Sequence, residues 1–321
     1  MKKEKLRITN GYLKYKNTIK YLGIYLTDKG NLKCDTELYI SKTRSNIYSK
    51  FTSFCAVYHL APLSVKLEAL NSCLVSTILY GCECWGNCIP KEIEIAYRMP
   101  LKTALSIRNN TSNEIVYIES GMYPLECIIK KRQLSFWMKI ENCDENRVLT
   151  YVLQKANQYN LDFVHYYKNL KEQFKTPEDC EKTLKAKYNE LWRTKIEAKA
   201  RDDADSKLGA YLDVNPNFRS IDSYHEDILE LERIILTRFR TGSHNLKIEI
   251  GRHNKQERAQ RLCKCNQQIQ TLRHIIFECT LLDEIREIDF NELYTTTDEF
   301  FRSNEATVFL IKAMKILKVK I

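Results

Sequence analysis

Apolar residues along the chain recur mostly at helical spacing, and only the first thirty positions alternate as strands do. Leu6-Arg7-Ile8 and Tyr12-Leu13-Lys14-Tyr15 flank Asn10-Gly11, a two-residue turn signal, and Ile19 to Leu26 forms a third β-rich run that ends at Asp28-Lys29-Gly30. From Thr36 to Tyr58 the period becomes helical. Leu38, Ile40, Ile47, Phe51, Phe54 and Val57 gather mostly on one side, with Lys42, Arg44 and Lys50 elsewhere, until Pro62 interrupts. Ser64 is the predicted N-cap of the next helix. Its apolar residues Val65, Leu67, Leu70, Leu74, Val75, Ile78 and Leu79 spread too widely for a surface helix and predict a buried one. Further helices are predicted over Glu92 to Ile107 with a break or kink at Pro100, over Asn113 to Glu119 before a stop at Gly121, and over Pro124 to Ile140.

Amphipathic helices continue from Arg147 to about Lys199. The clearest opens at Thr176-Pro177-Glu178-Asp179, where Thr caps, Pro takes the first helical position and the acids face the helix dipole. A polar stretch from Arg201 through Asp202-Asp203-Ala204-Asp205 to Asn215-Pro216-Asn217 reads as a linker. Beyond it, His225 to Arg240 is a predicted helix ended by Gly242, and Glu305 to Lys318 a final one. The expected fold is mainly α: a helical bundle with a short N-terminal β-hairpin element and a small C-terminal cysteine–histidine module. The expected divisions are a β element at 1–30, a bundle at 31–143, a helical connector at 144–222 with its polar linker at 201–222, and a C-terminal helical domain at 223–321.

With 321 residues, 44% of them hydrophobic, the chain is long enough for two or three packed units. The formal net charge of +10 is uneven. Residues 2–20 carry seven Lys/Arg against one Glu, 238–261 seven against two, and 302–320 five against one. Clustered positive charge favours a polyanion, although surface lysine also serves solubility. Twelve cysteines, with no signal peptide and no apolar run long enough to cross a bilayer, point to a reducing intracellular compartment, nucleus or cytoplasm, and to no membrane. Cys55, Cys73, Cys127 and Cys143 read as small buried hydrophobes. Cys82, Cys84 and Cys88 lie close together but lack a nearby histidine or fourth cysteine.

Cys263, Cys265, His274 and Cys279 differ from all of these. Three thiols and an imidazole within seventeen residues make a complete tetrahedral zinc set, structural rather than catalytic because no position stays open. The spacing makes a demand. Residues five apart are separated by about 140° on a straight α-helix, so His274 and Cys279 converge only across a helix end or turn within Ile275 to Glu278. A degraded site, with Cys265 and Cys279 merely buried, is the competing reading. Just upstream, Arg238 and Arg240 fall in the last turn of a predicted helix, where cations complement the dipole without any ligand. Thr241, Gly242, Ser243 and His244 add donors and an adaptable backbone beside them, followed by Lys247, Arg252 and Lys255, and phosphate contact is the favoured reading.

Four stretches in order resemble landmarks of the reverse transcriptases of non-LTR (LINE-type) retrotransposons. Lys20-Tyr21-Leu22-Gly23-Ile24-Tyr25-Leu26 is similar to the primer-grip strand, and Ile78-Leu79-Tyr80-Gly81-Cys82-Glu83-Cys84-Trp85 to a helix-end motif of the thumb. Glu119-Ser120-Gly121-Met122-Tyr123-Pro124-Leu125 resembles a motif a few dozen residues on, and Cys263, Cys265, His274 and Cys279 the C-terminal CCHC cluster. The likeness covers roughly 6–140 and 228–285. It implies binding of RNA or DNA, with Lys20, Tyr21 and Gly23 at a primer end and Lys42, Arg44 and Lys50 on duplex phosphates. It also implies a polymerase palm, upstream or separately encoded, whose metal-binding aspartates this chain does not carry.

Two-metal nucleotidyl transfer needs fixed carboxylates. Asp202, Asp203 and Asp205 sit in the polar stretch with no strand pattern to present them, so no catalytic residue is assigned and the chain alone is not expected to polymerise. Nucleic-acid binding by a reverse-transcriptase portion lacking its palm is the leading expectation. A non-enzymatic helical interaction protein or relic is the alternative from another class, and catalysis in trans with a separate palm a third.

Overall fold

Helices close nearly everywhere the apolar period predicts them. The computed structural model of the protein describes residues 7–8, 11–12, 16–21, 24–27, 32–87, 89–144, 147–159, 162–203, 206–221, 228–290 and 294–320. Side chains are described from 48 onward within these ranges, except at 84 and 162, and before that at 16–20, 37 and 39–41. In chain order the elements are β1 (Arg7–Ile8), β2 (Gly11–Tyr12), β3 (Thr18–Tyr21), β4 (Ile24–Thr27), α1 (Leu32–Val57), α2 (Leu63–Ala69), α3 (Ser76–Ile78), α4 (Lys91–Ala104) and α5 (Asn113–Ser120). There follow α6 (Leu125–Glu141), α7 (Val148–Gln158), α8 (Asp162–Gln173), α9 (Pro177–Asp202), α10 (Lys207–Val214), α11 (Glu230–Arg240), α12 (Lys247–His253), α13 (Asp283–Asp289), α14 (Thr297–Arg302) and α15 (Ala306–Leu317). The fold is mainly α.

Several expectations change in detail. In the first hairpin Ile8 pairs with Gly11 and Arg7 with Tyr12, so Gly11 lies in a strand rather than in the turn. The run Ile19 to Leu26 is not one strand. It folds back as β3 and β4, paired antiparallel from Thr18–Thr27 to Tyr21–Ile24. The second helix starts at Leu63 with Pro62 as its N-cap, so Ser64 lies inside it. Between α2 and α3 the chain winds as a wider π-helix over Leu70–Val75. Pro100 does not break α4, which runs through it to Ala104. The polar stretch read as a linker contains α10, held by Ser206 as N-cap and burying Tyr211 and Val214. His225 lies outside the described residues, and the next helix begins at Glu230.

The chain divides into two compact units that interleave in sequence, unlike the consecutive divisions expected. One comprises 1–51, 71–97 and 124–185; the other 52–70, 98–123 and 186–321. In the first, α6 carries the organising residue. Gln133 is fully buried, donates from Nε2 to the carbonyls of Cys82 and Gly86 at 2.9 Å each, and accepts from the Tyr166 hydroxyl at 2.9 Å. One amide therefore pins the Cys82–Trp85 turn against α6, a turn that Gly81 enters at φ +74. Trp137 of α6 packs on Phe163 and Tyr167 of α8 at ring separations of 5.2 and 5.6 Å. Burial pushes the thiols of Cys127 and Cys180 up to about 12 and about 11, so both stay neutral and behave as apolar packing groups. Cys55 is buried as well, whereas Cys73 is exposed and Cys143 half-buried.

The second unit is built around buried charge. Arg240, at the end of α11, is 2% exposed and pairs with Glu119 of α5, which is fully buried, at 2.9 Å. The Tyr211 hydroxyl donates to the same carboxylate at 2.8 Å, and Asn215 reaches Tyr211 at 2.8 Å and the Arg219 carbonyl at 2.8 Å. A second buried set joins Lys66 of α2 to Glu230 of α11 at 2.6 Å, with Arg233 on the same carboxylate at 2.7 Å. Elsewhere in this unit α13, α14 and α15 enclose an aromatic cluster of Phe290, Phe300 and Phe309. Thr296 and Glu299 close a full capping box on α14.

Removing one member of a buried, hydrogen-bonded ion pair strands the other in a medium that solvates it poorly. Glu119→Ala is therefore expected to lose about 3–5 kcal/mol of unfolding free energy in urea titration. The same substitution at the exposed Glu190 is expected to change it by less than about 0.5 kcal/mol.

Candidate metal centre

The loop before the first cysteine is set by packing at α12. A Cβ on Gly251 would come within 2.6 Å of the Arg261 side chain, so only glycine lets Arg261 cross this helix. Arg261 there donates to the Gln256 carbonyl at 2.6 Å. The chain then folds into a tight knuckle: Leu262 bridges Ile269, the Cys263 amide donates to the Gln268 carbonyl at 2.7 Å, and the Asn266 amide to the Cys263 carbonyl at 3.0 Å. Asn266 takes the left-handed conformation at φ +60, which asparagine tolerates better than most residues. The knuckle turns the one-residue Cys263–Cys265 spacing into two thiols on the same side.

The second half of the set comes from a widened turn. His274–Glu278 is π-helical and closes with the Cys279 amide donating to the His274 carbonyl at 2.8 Å. Cys279 itself is extended. This is the local turn that the five-residue spacing demands, because the extra residue per turn swings Cys279 back beside His274. Cys263, Cys265, His274 and Cys279 accordingly lie with their ligand atoms within 4.8 Å of one another. The sulfurs of Cys263 and Cys279 are 3.7 Å apart, and Cys265 Sγ is 3.3 Å from His274 Nε2. A tetrahedron with bonds of about 2.3 Å to sulfur has edges of about 3.8 Å. The four side chains can hold a metal ion.

Three neighbours that the spacing of cysteines does not reveal complete the cluster. Gln270, 1% exposed, directs Nε2 at Cys263 Sγ at 3.9 Å while its Oε1 accepts from the Lys247 amide at 2.8 Å, tying the cluster to the start of α12. Arg286 of α13 donates to the carbonyls of Ile275 at 3.2 Å and Cys279 at 2.6 Å, satisfying the end of the π-turn. Glu278 brings a carboxylate oxygen to 3.7 Å from the buried His274 Nδ1. That leaves Nε2 as the ligand nitrogen, with the Glu278 carboxylate near the other ring nitrogen but beyond hydrogen-bond reach.

The titration pattern has separate causes at each ligand. Burial holds His274 below its ordinary value, in the neutral form a ligand needs, against the opposing pull of Glu278. Burial together with the neighbouring Cys263 pushes Cys279 up to about 12. At Cys265 burial is outweighed by the backbone N–H groups of Gln267 and Gln268 and by the Cys263 and Cys279 thiols, and its thiol falls below the ordinary range.

The basic residues upstream face several ways. Arg238 is half-buried, donating to the Ser106 carbonyl at 3.0 Å, and Arg240 is consumed by Glu119. Ser243 is buried among Thr111, Thr241 and the Arg108 amide at 3.1, 3.1 and 3.3 Å. His244 is buried, stacks on Phe239 at 5.0 Å and accepts from the Leu246 amide at 3.3 Å. Thus Arg240, Ser243 and His244, expected on phosphates, are buried and engaged with partners inside the fold. The exposed charge sits one element later.

Lys247 is exposed, while Arg252 is half-buried and paired with Glu249. A cavity of about 560 Å³ opens beside the cysteine–histidine module. Its walls carry Lys207, Arg252, Arg258 and Arg273 against Asp213, Glu249 and Glu278.

In the first unit Lys20 and Lys50 are exposed. The backbone of Tyr21 is in β3 and those of Lys42 and Arg44 in α1, with side chains outside the described residues, as is all of Gly23. Asp202 and Asp203 are exposed at the end of α9, and Asp205 lies outside the described residues. Among the described residues no helix is long and apolar enough to cross a membrane. Comparison with models of known protein families, with curated proteins and with solved structures finds no match.

His244 generates a pH dependence. Burial first, then Arg108, Lys207 and Arg252, pushes its imidazole down to about 3, so it is neutral when folded. The unfolded chain, with an ordinary value near 6.5, takes up the proton first. Stability is therefore lost as pH falls from about 6.5 towards 3, by up to about 1.4 kcal/mol per pH unit. Urea titrations at pH 7 and pH 5 are expected to show a smaller acid loss for His244→Gln than for the unmodified chain.

Proposed function

We propose that the protein is a zinc-stabilised nucleic-acid-binding portion of a LINE-type reverse transcriptase, acting on RNA or DNA rather than polymerising by itself. The observation that carries this reading is the convergence of Cys263, Cys265, His274 and Cys279, with Glu278 near the imidazole. These residues form the last of the four stretches that resemble the family in order. Zinc is favoured among metals by the donor set, three thiols and one imidazole at tetrahedral distances. All four positions are filled by protein. The ion would thus cross-link the knuckle to the π-turn rather than carry a reaction.

Binding is supported by the placement of the remaining charge. Lys247, Lys255, Arg258 and Arg273 lie on or near the module and reach solvent. They can neutralise successive phosphates, the term that dominates affinity and makes it salt-dependent. Exposed Lys20 and Lys50 in the other unit add to the same kind of surface. The resemblance places a palm upstream or on a separate chain, and polymerisation would need its aspartates.

A second reading is favoured by α7. Val148, Leu149, Tyr151 and Val152 are exposed there, an apolar surface of the kind that binds protein rather than nucleic acid. It belongs to a helical interaction protein.

Protein purified without chelator is expected to hold one zinc per chain by elemental analysis and to lose thermal stability on Cys279→Ser. Substoichiometric zinc with all four ligands intact would count against the metal. Affinity for a primer–template duplex is expected to fall linearly in log–log form with salt. Arg258→Ala should reduce that slope by about 1 while weakening binding uniformly across sequences. Absence of binding at low salt would leave the interaction-protein reading.

A further inference from the structure

The turn after α5, within Glu119-Ser120-Gly121-Met122-Tyr123, forms one side of a second cavity that the metal centre does not use. Its volume is about 300 Å³. Tyr117 and Tyr123 lie nearly parallel to Trp192 of α9, at ring separations of 5.5 and 5.6 Å and angles of 7° and 24°. Tyr117 and Trp192 are buried, and Tyr123 reaches the opening. Phe218, half-buried, also lines the cavity, with the Arg193 guanidinium 4.8 Å over its ring.

The backbone around this cavity is unusual on both sides. Gly121 turns at φ +66, and a Cβ there would already touch Ser220 at 3.5 Å. Phe218 sits at φ +54, a conformation that costs a bulky residue free energy and persists only where the surroundings enforce it. The hydrogen bond of Asn215 Oδ1 with the Arg219 amide, at 3.0 Å, holds the next residue of the loop. The strained position keeps an aromatic ring at the mouth instead of folding it into the core.

The chemistry of the opening selects an occupant. Asn189 accepts from the Tyr123 hydroxyl at 3.1 Å, which leaves its amide nitrogen to donate, and Asn217 stands exposed nearby. Arg193 puts positive charge at the opening, and Glu197 engages it only at 3.9 Å and in solvent. A guanidinium already over Phe218 disfavours a cationic guest of the aromatic-cage type. Aromatic rings, amide groups at the edge and a cation at the opening instead match a flat heterocycle attached to a phosphate. The volume is at the lower bound for ligand sites and suits one such group rather than a large ligand.

We infer that this cavity receives one unpaired nucleobase of a single-stranded nucleic acid, with the base against Phe218 and Tyr123 and its phosphate at Arg193. This rests on the nucleic-acid reading above and adds to it the recognition of an unstacked base. It is separate in place from the metal cluster.

The test compares fluorescently labelled eight-nucleotide oligoadenylates, ribose and deoxyribose, with versions of the same length in which every base is absent. A blunt duplex serves as control, all read by anisotropy with the full-length chain. The unmodified protein is expected to bind base-containing strands about tenfold or more tightly than abasic ones. Phe218→Gly relieves the strained φ and is expected to stay folded, to bind abasic strands and duplex as before, and to lose the preference for bases. Arg193→Ala on the exposed face of α9 should weaken both kinds of strand and keep the preference.

Equal affinity of the unmodified protein for base-containing and abasic strands, with duplex binding intact, would overturn the pocket and leave the nucleic-acid reading standing. Failure to bind any of the three ligands at low salt would overturn both. A retained base preference in folded Phe218→Gly would also overturn the assignment. A ribose preference would identify RNA as the strand, and equal binding a base read in either.

Discussion

The second unit depends on a charge taken out of water. Glu119 and Arg240 are both buried, and a carboxylate and guanidinium in that state are tolerable only while each answers the other and their remaining valences are filled. Filling them recruits α10, through Tyr211, and the segment after it, through Asn215. Desolvation and the Glu119 charge together raise the Tyr211 phenol well above its ordinary value, so it stays a donor. Three helices and a loop are thus positioned by one ion pair. The loop leads to Phe218, and the end of α11 leads through His244 and α12 to Gln270 and the cysteines. Both candidate sites are reached along the chain from this anchor.

Burying the charge reorders the basic sequence around it. A run of Arg, Thr, Ser and His before a metal cluster looks like a phosphate grip when written out in line. Folded, Arg240, Ser243 and His244 each turn to separate internal partners, and outward charge is carried by Lys247 at the start of α12 and by exposed residues after it. Local composition therefore reports the amount of positive charge correctly but not its direction. Arginine suits either task, since its planar fork satisfies a carboxylate or a phosphate equally well.

Long helices with an amphipathic repeat were legible, because an apolar stripe must be buried whatever its partner. The caps at Gly121 and Thr176 were legible too: Gly121 is left-handed at φ +66, and Thr176 accepts from the Asp179 amide at 3.1 Å. The cluster that could hold a metal could be read from residue type and spacing, including the need for an irregular turn between His274 and Cys279. What could not be read was anything settled by residues far apart in sequence. The buried role of Arg240 is fixed by Glu119, 121 positions away. The helical state of α10 is fixed by burial of Tyr211 rather than by its polar flanks. Gln270 and Arg286 carry no signal of their own, since a glutamine and an arginine in a polar stretch have many uses. The division of Ile19 to Leu26 into two paired strands was hidden by uniform β propensity, which marks strands and not where they fold back.

The π-turn at His274–Glu278 has a further consequence for how this segment can change over generations. In an ordinary helix, losing or gaining one residue rotates the downstream side chains by about 100° and can be absorbed at the next loop. Here the surplus residue is the device that aligns the two ligands, and Arg286 is matched to the carbonyls it displaces. A one-residue deletion would restore a tidier helix and destroy the cluster. Substitutions at Ile275, Ile276 and Phe277 are free to drift within their apolar requirement, but the length between His274 and Cys279 is not. In this stretch the number of residues constrains the cluster more than their identity does.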